Sequence, residues 1–259
     1  MWRARDGRHM ADGTGGAFLR RAMIILAHRG NLTGSEPEHE NRLDRMAEAM
    51  SMGFGLETDI RRHGDGTFYI AHDAATTASA DDDDAASRHA ALWRRYPTQL
   101  VALNVKELGD EEALVAFLSS SALVAQVMLF DMELIEPVPG ATARMFAALH
   151  VGLHLAARVS DRGESVERAL GIPEARSIWL DEFDTLWATR ESISRLRDAG
   201  RQVHVISPEL HGFDADARLR RWDDFATWGV HSICTDHPVE AVAHLGLAAA
   251  PTLPHGVLA

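Results

Sequence analysis

The sequence predicts a single-domain α/β protein, a (β/α)8 or TIM barrel, on three observations. Short apolar runs alternate with segments of helical periodicity, and the connections are too long for hairpins. The runs are continuously apolar, as expected of parallel strands buried on both faces. Nearly every run ends in a polar residue, and a barrel gathers the carboxyl ends of its strands at one rim. In an open, doubly wound sheet, the alternative fold, these residues would have no common place to meet.

The eight barrel strands are predicted from these apolar runs. A ninth, short strand, Thr67–Ala71, is predicted after the turn signal of Gly64, Asp65 and Gly66. In chain order, the barrel strands are predicted at Met23–Ala27, Phe54–Ile60, Leu100–Val105, Val124–Phe130, Gly152–Val159, Ser177–Leu180, Gln202–Ile206 and Val230–Cys234.

Helices are predicted between most of these strands from apolar residues three and four positions apart. The clearest is Asn41–Met52, which Gly53 ends. The stretch from Ala74 to Tyr96 has no regular period and holds an acidic run, Asp81 to Asp84, expected to be a solvated loop or a helix start because it lacks the spacing of a calcium loop. The other predicted helices are Glu111–Leu118, Thr142–Leu149, Arg190–Ala199, Ala217–Trp228 and Pro238–Leu245.

Length and composition suit one globular domain. The chain has 259 residues, of which 46% are hydrophobic, and its net charge is -12. An acidic protein is a poor general binder of nucleic acid or of anionic membranes.

Residues 1–22 are expected to form a flexible extension, residues 23–246 the barrel, and residues 247–259 a tail. A single cysteine, Cys234, precludes an internal disulfide, and no signal peptide or apolar run of about 20 residues stands out, so we expect a soluble cytoplasmic protein. The oligomeric state stays open.

A pair of carboxylates is the first candidate for chemistry. Glu57 and Asp59 are two positions apart on a predicted strand, so their side chains point to the same face. Two carboxylates in one pocket repel each other unless a cation lies between them. Oxygen ligands favour Mg²⁺ or Ca²⁺ over zinc. One salt-bridged carboxylate beside a solvated one would explain the same pattern.

Two histidines and two cations complete the candidate site. His28 and His72 end separate strands, and each imidazole can exchange a proton near neutral pH. Arg29 can grip phosphate oxygens, and Lys106 can stabilise developing negative charge. Each residue alone is a weak signal, since the chain has 14 histidines and an ordinary surface or core role is common.

Taken together, these residues resemble the glycerophosphodiester phosphodiesterase family. The resemblance implies a TIM barrel that uses one divalent cation, Mg²⁺ or Ca²⁺, and a small phosphodiester substrate. It is carried by His28-Arg29-Gly30, Pro37, Glu40-Asn41, Gly55-Leu56-Glu57-Thr58-Asp59-Ile60, Asp65-Gly66 and His72-Asp73, and further on by Lys106, Trp179-Leu180-Asp181 and Thr235-Asp236-His237-Pro238.

The resemblance also implies roles for these residues. His28 and His72 would be the general acid and base, and Arg29 would bind phosphate. Lys106 would stabilise the transition state, and Glu57 and Asp59 would bind the metal. Trp179 and Asp181 are predicted to contact substrate.

Three features depart from the family pattern. The position two residues before the lysine, usually acidic, is Asn104, which can still offer an amide oxygen to the metal. Asp131, on the next strand, is predicted to compensate as a further ligand. Residues 37–41 carry extra residues within the usual motif, and the segment after His72 is short, which leaves the choice of substrate open.

Three functions compete. The first is a metal-dependent phosphodiesterase. The second is a barrel that binds a phosphosugar or a phospholipid headgroup without cleaving it, because Asn104 weakens the metal site. The third is a metal-dependent amidohydrolase, disfavoured because the first strand lacks a paired His-x-His motif.

Overall fold

The computed structural model describes residues 23–75 and 84–247 and confirms the predicted (β/α)8 barrel. Asp81 to Asp83 of the acidic run, the expected N-terminal extension and the tail from residue 248 lie outside the described residues. The strands are β1 (Ile24–His28), β2 (Gly55–Arg62), β3 (Phe68–Ile70), β4 (Val101–Val105), β5 (Val127–Phe130), β6 (His154–Val159), β7 (Ser177–Leu180), β8 (Gln202–Ile206) and β9 (Ser232–Thr235).

The barrel is closed. Eight strands pair in parallel in the order β1, β9, β8, β7, β6, β5, β4, β2, and β2 pairs in parallel with β1 again. An open doubly wound sheet is thereby excluded. The short strand β3 is the exception to the parallel order, because it folds back antiparallel on β2 and pairs Ile60 with Ile70.

Eight helices surround the described barrel. They are α1 (Leu43–Ser51), α2 (Ala86–Trp93), α3 (Glu111–Ser120), α4 (Ala141–Leu149), α5 (Val166–Leu170), α6 (Arg190–Asp198), α7 (Ala215–Trp228) and α8 (Pro238–His244). Two of them, α2 and α5, were not predicted. Two 3₁₀ helices, Met132–Leu134 and Pro208–His211, follow β5 and β8. In this described part of the chain, no helix is both long enough and apolar enough to cross a bilayer.

The predicted bounds of several elements shift by one to three residues. β5 begins at Val127 rather than Val124, and β9 begins at Ser232 rather than Val230. Helix α1 begins at Leu43 because Asn41 has a left-handed backbone conformation, with φ of 62°, which a continuous helix cannot contain.

The barrel interior is built in layers of side chains. The middle layer is apolar, and there Trp179 stacks on Phe130 with ring centroids 4.0 Å apart. The layer at the amino ends of the strands is polar and consists of His154, Ser177, His204 and Ser232, joined by hydrogen bonds. The polar strand ends form the opposite layer, at the C-terminal rim.

Candidate active site

His28 lies at the C-terminal rim, at the end of β1, and is held from two sides. Its Nδ1 lies 2.7 Å from Asp236 Oδ1, and its Nε2 lies 3.7 Å from Glu57 Oε2. Barrel closure explains this, because β1 lies between β2 and β9, and His28 is in register with Glu57. Burial lowers the pKa of His28, but the hydrogen bond to Asp236 and the charge of Glu57 outweigh burial and raise it overall.

Arg29 turns back over the rim because the chain reverses sharply after β1. Arg29 and Gly30 both adopt left-handed conformations, with φ of 50° and 84°. A Cβ on Gly30 would lie 3.2 Å from the backbone nitrogen of Met46 in α1, so the turn packs closely on that helix. The Arg29 guanidinium then reaches two carboxylates: its Nη1 donates to Glu40 Oε2 at 2.8 Å, and its Nε lies 3.0 Å from Asp59 Oδ2.

Asp59 is fully buried and is surrounded by donors. Lys106 Nζ lies 2.9 Å from its Oδ1, and Asn41 Nδ2 donates to its Oδ2 at 3.1 Å. Burial raises the pKa of Asp59, but the charges of Lys106 and Arg29 outweigh burial and hold it below its usual value. The lowered pKa favours the ionised form of Asp59, which pairs with both cations.

Lys106 is the one lysine among the 26 lysine and arginine residues of the chain. An ammonium is a compact point charge, whereas a guanidinium is a planar fork. The only lysine of the chain thus places a compact ammonium in contact with Asp59.

Glu57 has the opposite character to Asp59. Its side chain is buried, and its Oε2 accepts no hydrogen bond from any residue that the structure describes. Burial together with the nearby charge of Asp59 raises its pKa to about 7. A buried carboxylate oxygen without a donor, beside a second carboxylate, has the chemistry of a ligand for a hard divalent cation. The donor set of Glu57 and Asp59 therefore fits the predicted metal.

Asn104 and Asp131 lie at the adjoining part of the rim. Asn104 is in register with Asp59, and its Nδ2 donates to Asp131 Oδ2 at 2.9 Å. Asp131 also forms an ion pair with Arg158, whose second terminal nitrogen lies 2.5 Å from Asp181 Oδ2. Asp131 thus shares its charge between an amide and a guanidinium, and Asn104 keeps its carbonyl oxygen for another partner.

A different group of potential ligands comes close together in the described part of the chain. One ligand atom from each of His28, Glu40 and Asp236 lies within 4.8 Å of the others. However, Asn31 Nδ2 already bridges two of them, donating to Asp236 Oδ1 at 2.7 Å and to Glu40 Oε1 at 3.1 Å. One oxygen of each carboxylate is thus already used in a hydrogen bond, and the three residues remain a possible metal site beside Glu57 and Asp59.

His72 lies just after β3, where the Ala71 nitrogen donates to the Asp59 carbonyl oxygen at 3.2 Å. Its side chain is 48% exposed, and its Nδ1 lies 2.8 Å from Asp73 Oδ1. Arg61 fixes the backbone here by donating to the His72 carbonyl oxygen from Nε at 2.9 Å and from Nη2 at 2.8 Å. His72 is thus oriented by its neighbours on β2 and in its own loop.

The two predicted substrate contacts differ in position. Trp179 is only 2% exposed and packs in the apolar layer, one level below the rim. Asp181 reaches the rim, where His211 Nε2 lies 2.7 Å from its Oδ1 and Arg158 pairs with its other oxygen. Any contact of Trp179 with substrate would require the layer above it to open.

Several site residues were not assigned a role from the sequence. Asn31 bridges two carboxylates, Glu40 anchors Arg29, and Asn41 supports Asp59 while accepting from Thr58 at 2.7 Å. Glu209, after β8, accepts hydrogen bonds from the Thr235 hydroxyl and from the Asp236 backbone nitrogen. Glu40, Asn41 and Asp236 lie within the motifs quoted above, which was the available signal; Asn31 had none.

Comparison with known proteins locates the fold. No family model and no curated protein sequence matches the chain. Solved structures do match. A glycerophosphoryl diester phosphodiesterase from Parabacteroides distasonis is 19% identical, with a TM-score of 0.67 over 88% of this chain and 87% of that one. This chain has the fold of that enzyme.

Two further solved structures have the same fold. A glycerophosphodiester phosphodiesterase from Thermotoga maritima is 18% identical, with a TM-score of 0.56 over 85% of this chain and 97% of that one. An Oleispira antarctica phosphodiesterase, in complex with its product sn-glycerol-3-phosphate, is 17% identical, with a TM-score of 0.59 over 87% and 97%. At these identities the likeness establishes the fold, and the chemistry must be argued from the site.

Proposed function

We propose that this protein is a metal-dependent phosphodiesterase that cleaves a small phosphodiester such as a glycerophosphodiester. The observation that carries the proposal is the position of His28 between Asp236 and Glu57, at 2.7 and 3.7 Å, beside a buried Asp59 that holds Arg29 and Lys106. A proton-transfer group thereby lies next to two cations and three carboxylates at the C-terminal rim of the barrel.

The cations suit a phosphodiester anion. Arg29 presents a guanidinium that can pair with phosphate oxygens in bidentate fashion, and Lys106 presents a point charge on the other side of Asp59. Glu57, Asp59, Asn104 and Asp131 would hold Mg²⁺ or Ca²⁺, which when bound supplies positive charge against the phosphoryl oxygens. Removing charge from the phosphoryl group in this way favours attack at phosphorus.

The two histidines would move the protons. One takes a proton from the attacking water or from a neighbouring hydroxyl of the substrate, and the other gives a proton to the leaving alcohol. Asp236 fixes the ring of His28 through Nδ1, which leaves Nε2 to face the site. Asp73 makes the corresponding contact with Nδ1 of His72.

The test is release of alcohol from a panel of glycerophosphodiesters with Mg²⁺, Ca²⁺ or a chelator. We expect turnover that requires a divalent cation, that is abolished in His28→Ala, and that falls by about a hundredfold or more in His72→Asn. His39→Asn is the matched control, because His39 is exposed and its ring lies 4.0 Å from a glutamate outside the site, Glu36. Full turnover in His72→Asn would refute the two-histidine mechanism.

A second function, binding without cleavage, is favoured by one observation. Asp59 is already neutralised by Lys106 and Arg29, and Asn104 brings no negative charge of its own, so the site attracts a cation less than a fully acidic site would. In that case sn-glycerol-3-phosphate would bind to the wild type and not to Arg29→Ala, while turnover would be absent with every metal. Calorimetric titration alongside the activity panel separates the two functions.

A further inference from the structure

The loop after β5 carries an unusual apolar surface at the C-terminal rim. Residues 134–139, which we call the apolar rim loop, include Leu134, Ile135 and Val138, whose exposed fractions are 53%, 43% and 54%, together with two exposed prolines. Exposed large apolar side chains that follow one another in sequence are uncommon and mark contact surfaces.

The one charged residue in the loop does not face solvent freely. Both carboxylate oxygens of Glu136 accept backbone N–H groups at the start of α4, from Gly140 and, at 2.8 Å, from Thr142. The charge is thus used as a helix cap, near the positive end of the helix dipole. The outward surface of the loop is left without a formal charge.

Backbone hydrogen bonds also hold both ends of the loop. Its preceding 3₁₀ turn is closed by hydrogen bonds from the Leu134 nitrogen to the Asp131 oxygen at 3.1 Å and from the Ile135 nitrogen to the Met132 oxygen at 3.1 Å, and the Ala141 nitrogen donates to the Val138 oxygen at 3.0 Å. A preformed apolar surface loses little conformational entropy when it is covered.

The position of the loop links it to the candidate active site. Asp131, three residues before Leu134, accepts the hydrogen bond from Asn104 at the rim. A surface docked on the apolar rim loop would therefore lie beside the mouth of the site.

The net charge of the chain and the size of the loop limit which kind of surface can dock there. A net charge of -12 disfavours both an anionic surface and a second copy of this chain, and six residues are few compared with the roughly 20 to 30 per side of a stable protein interface.

We propose that the apolar rim loop docks the barrel on a zwitterionic lipid surface, so that the site receives phosphodiester headgroups presented there. The docking is independent of the chemistry, while the choice of headgroup as substrate rests on the proposed function. Insertion of apolar side chains into the headgroup region drives such binding in proportion to the apolar area buried.

The test uses the full chain and vesicles of phosphatidylcholine. Sedimentation with the vesicles is measured for the wild type, for Leu134→Asp/Ile135→Asp, and for Val151→Asp. Val151 is the matched control because it is 83% exposed and lies between α4 and β6, at the amino ends of the strands and away from the rim. We expect the double variant to lose on the order of tenfold or more in vesicle affinity and the control to keep wild-type affinity.

Two activity measurements separate this proposal from the proposed function. Turnover of a soluble glycerophosphodiester is expected to be equal in all three proteins, whereas release of choline from vesicles falls with vesicle binding. Soluble turnover without any vesicle binding would overturn the docking and leave the proposed function intact. Vesicle binding lost in the double variant, without turnover of either substrate, would uphold the docking and refute the proposed function. Equal vesicle binding by the double variant and the wild type, or binding to anionic vesicles alone, would overturn the docking.

Discussion

Asp236, just beyond the last barrel strand, lies 2.7 Å from Nδ1 of His28, at the end of the first. The two residues are 208 positions apart in the chain and become neighbours only because β9 pairs with β1. Closure of the barrel is therefore a requirement for orienting this histidine.

Asp236→Asn should remove one of the two carboxylates that raise the pKa of His28, so that the pKa falls under the effect of burial. We expect turnover to fall by about a hundredfold, with its acid limb moved to lower pH, because the imidazole loses both its orientation and its charge partner. The pH profile of kcat checks this. Asp223→Asn is the control, since Asp223 forms a comparable pair with His244 at 3.0 Å on the surface of the helices. Equal profiles for both variants would contradict the role of Asp236.

Lys106→Met should remove the ammonium that lies 2.9 Å from Asp59. Turnover is expected to fall by about a hundredfold or more, because a developing negative charge loses a fixed cation. Binding of the divalent cation should hold or tighten, because a competing positive charge is gone. Lys106→Arg, which keeps the charge and changes its shape, should retain part of the activity. Kinetics and metal titration in parallel give both readouts, and weaker metal binding in Lys106→Met would contradict this account.

Asn104→Glu should replace the neutral amide with a third carboxylate beside Glu57 and Asp59. With the cation present, we expect its affinity to rise by about tenfold, because added ligand charge strengthens oxygen sites. Without the cation, the free energy of unfolding should fall by about 1 to 3 kcal/mol, because like charges are buried together and the bond to Asp131 is lost. Asn104→Gln provides the neutral comparison. Unchanged metal affinity in the Glu variant would remove Asn104 from the ligand set.

Glu57 should make the metal-free protein less stable as pH rises. Its pKa is about 7 in the folded state against 4.5 for the free group, so between these values the folded protein holds a proton that the unfolded chain has released. The contribution of Glu57 to the free energy of unfolding therefore falls as pH rises from 4.5 to 7 and stays low above 7.

Glu57→Gln should accordingly raise the free energy of unfolding at pH 8 by on the order of 2 kcal/mol in the presence of chelator, and by much less at pH 5. Urea unfolding at both pH values measures this difference. Glu48→Gln serves as the control, because Glu48 is exposed on α1. An equal effect of Glu57→Gln at pH 5 and pH 8 would show that Glu57 does not titrate in this range.

The sequence was informative wherever the pattern was local. Continuous apolar runs such as Val101–Val105 predicted the barrel strands. A parallel strand that is buried on both faces is apolar along its whole length, so its own sequence identifies it without knowledge of the strands beside it. Helix α5 was missed because its five residues are too short to reveal a period. Helix α2 was missed although Ala86, Ala90 and Trp93 are buried at helical spacing, because the acidic run before it obscured the pattern.

In the candidate site, too, local features could be predicted from the sequence and tertiary contacts could not. The spacing of Glu57 and Asp59 fixes a shared face within one strand, and the structure places both at the rim. The difference between their pKa values could not be predicted from the sequence. It depends on whether Lys106 and Arg29 form ion pairs with Asp59 or with Glu57. The partnership of Asn31 with Asp236 was equally inaccessible, since it depends on tertiary contact over 205 positions.

The single lysine has a practical consequence. Reductive methylation with ¹³C-labelled formaldehyde adds labels to amines and preserves their positive charge, so this chain would carry labels at the Lys106 side chain and the N-terminal amine alone. Because Lys106 Nζ lies 2.9 Å from Asp59, the chemical shift of that one methyl signal would respond to a charged group that binds beside this carboxylate. Arrival of a cation or a phosphate ester at the rim could then be watched in solution as movement of one resonance, without turnover and without any substitution.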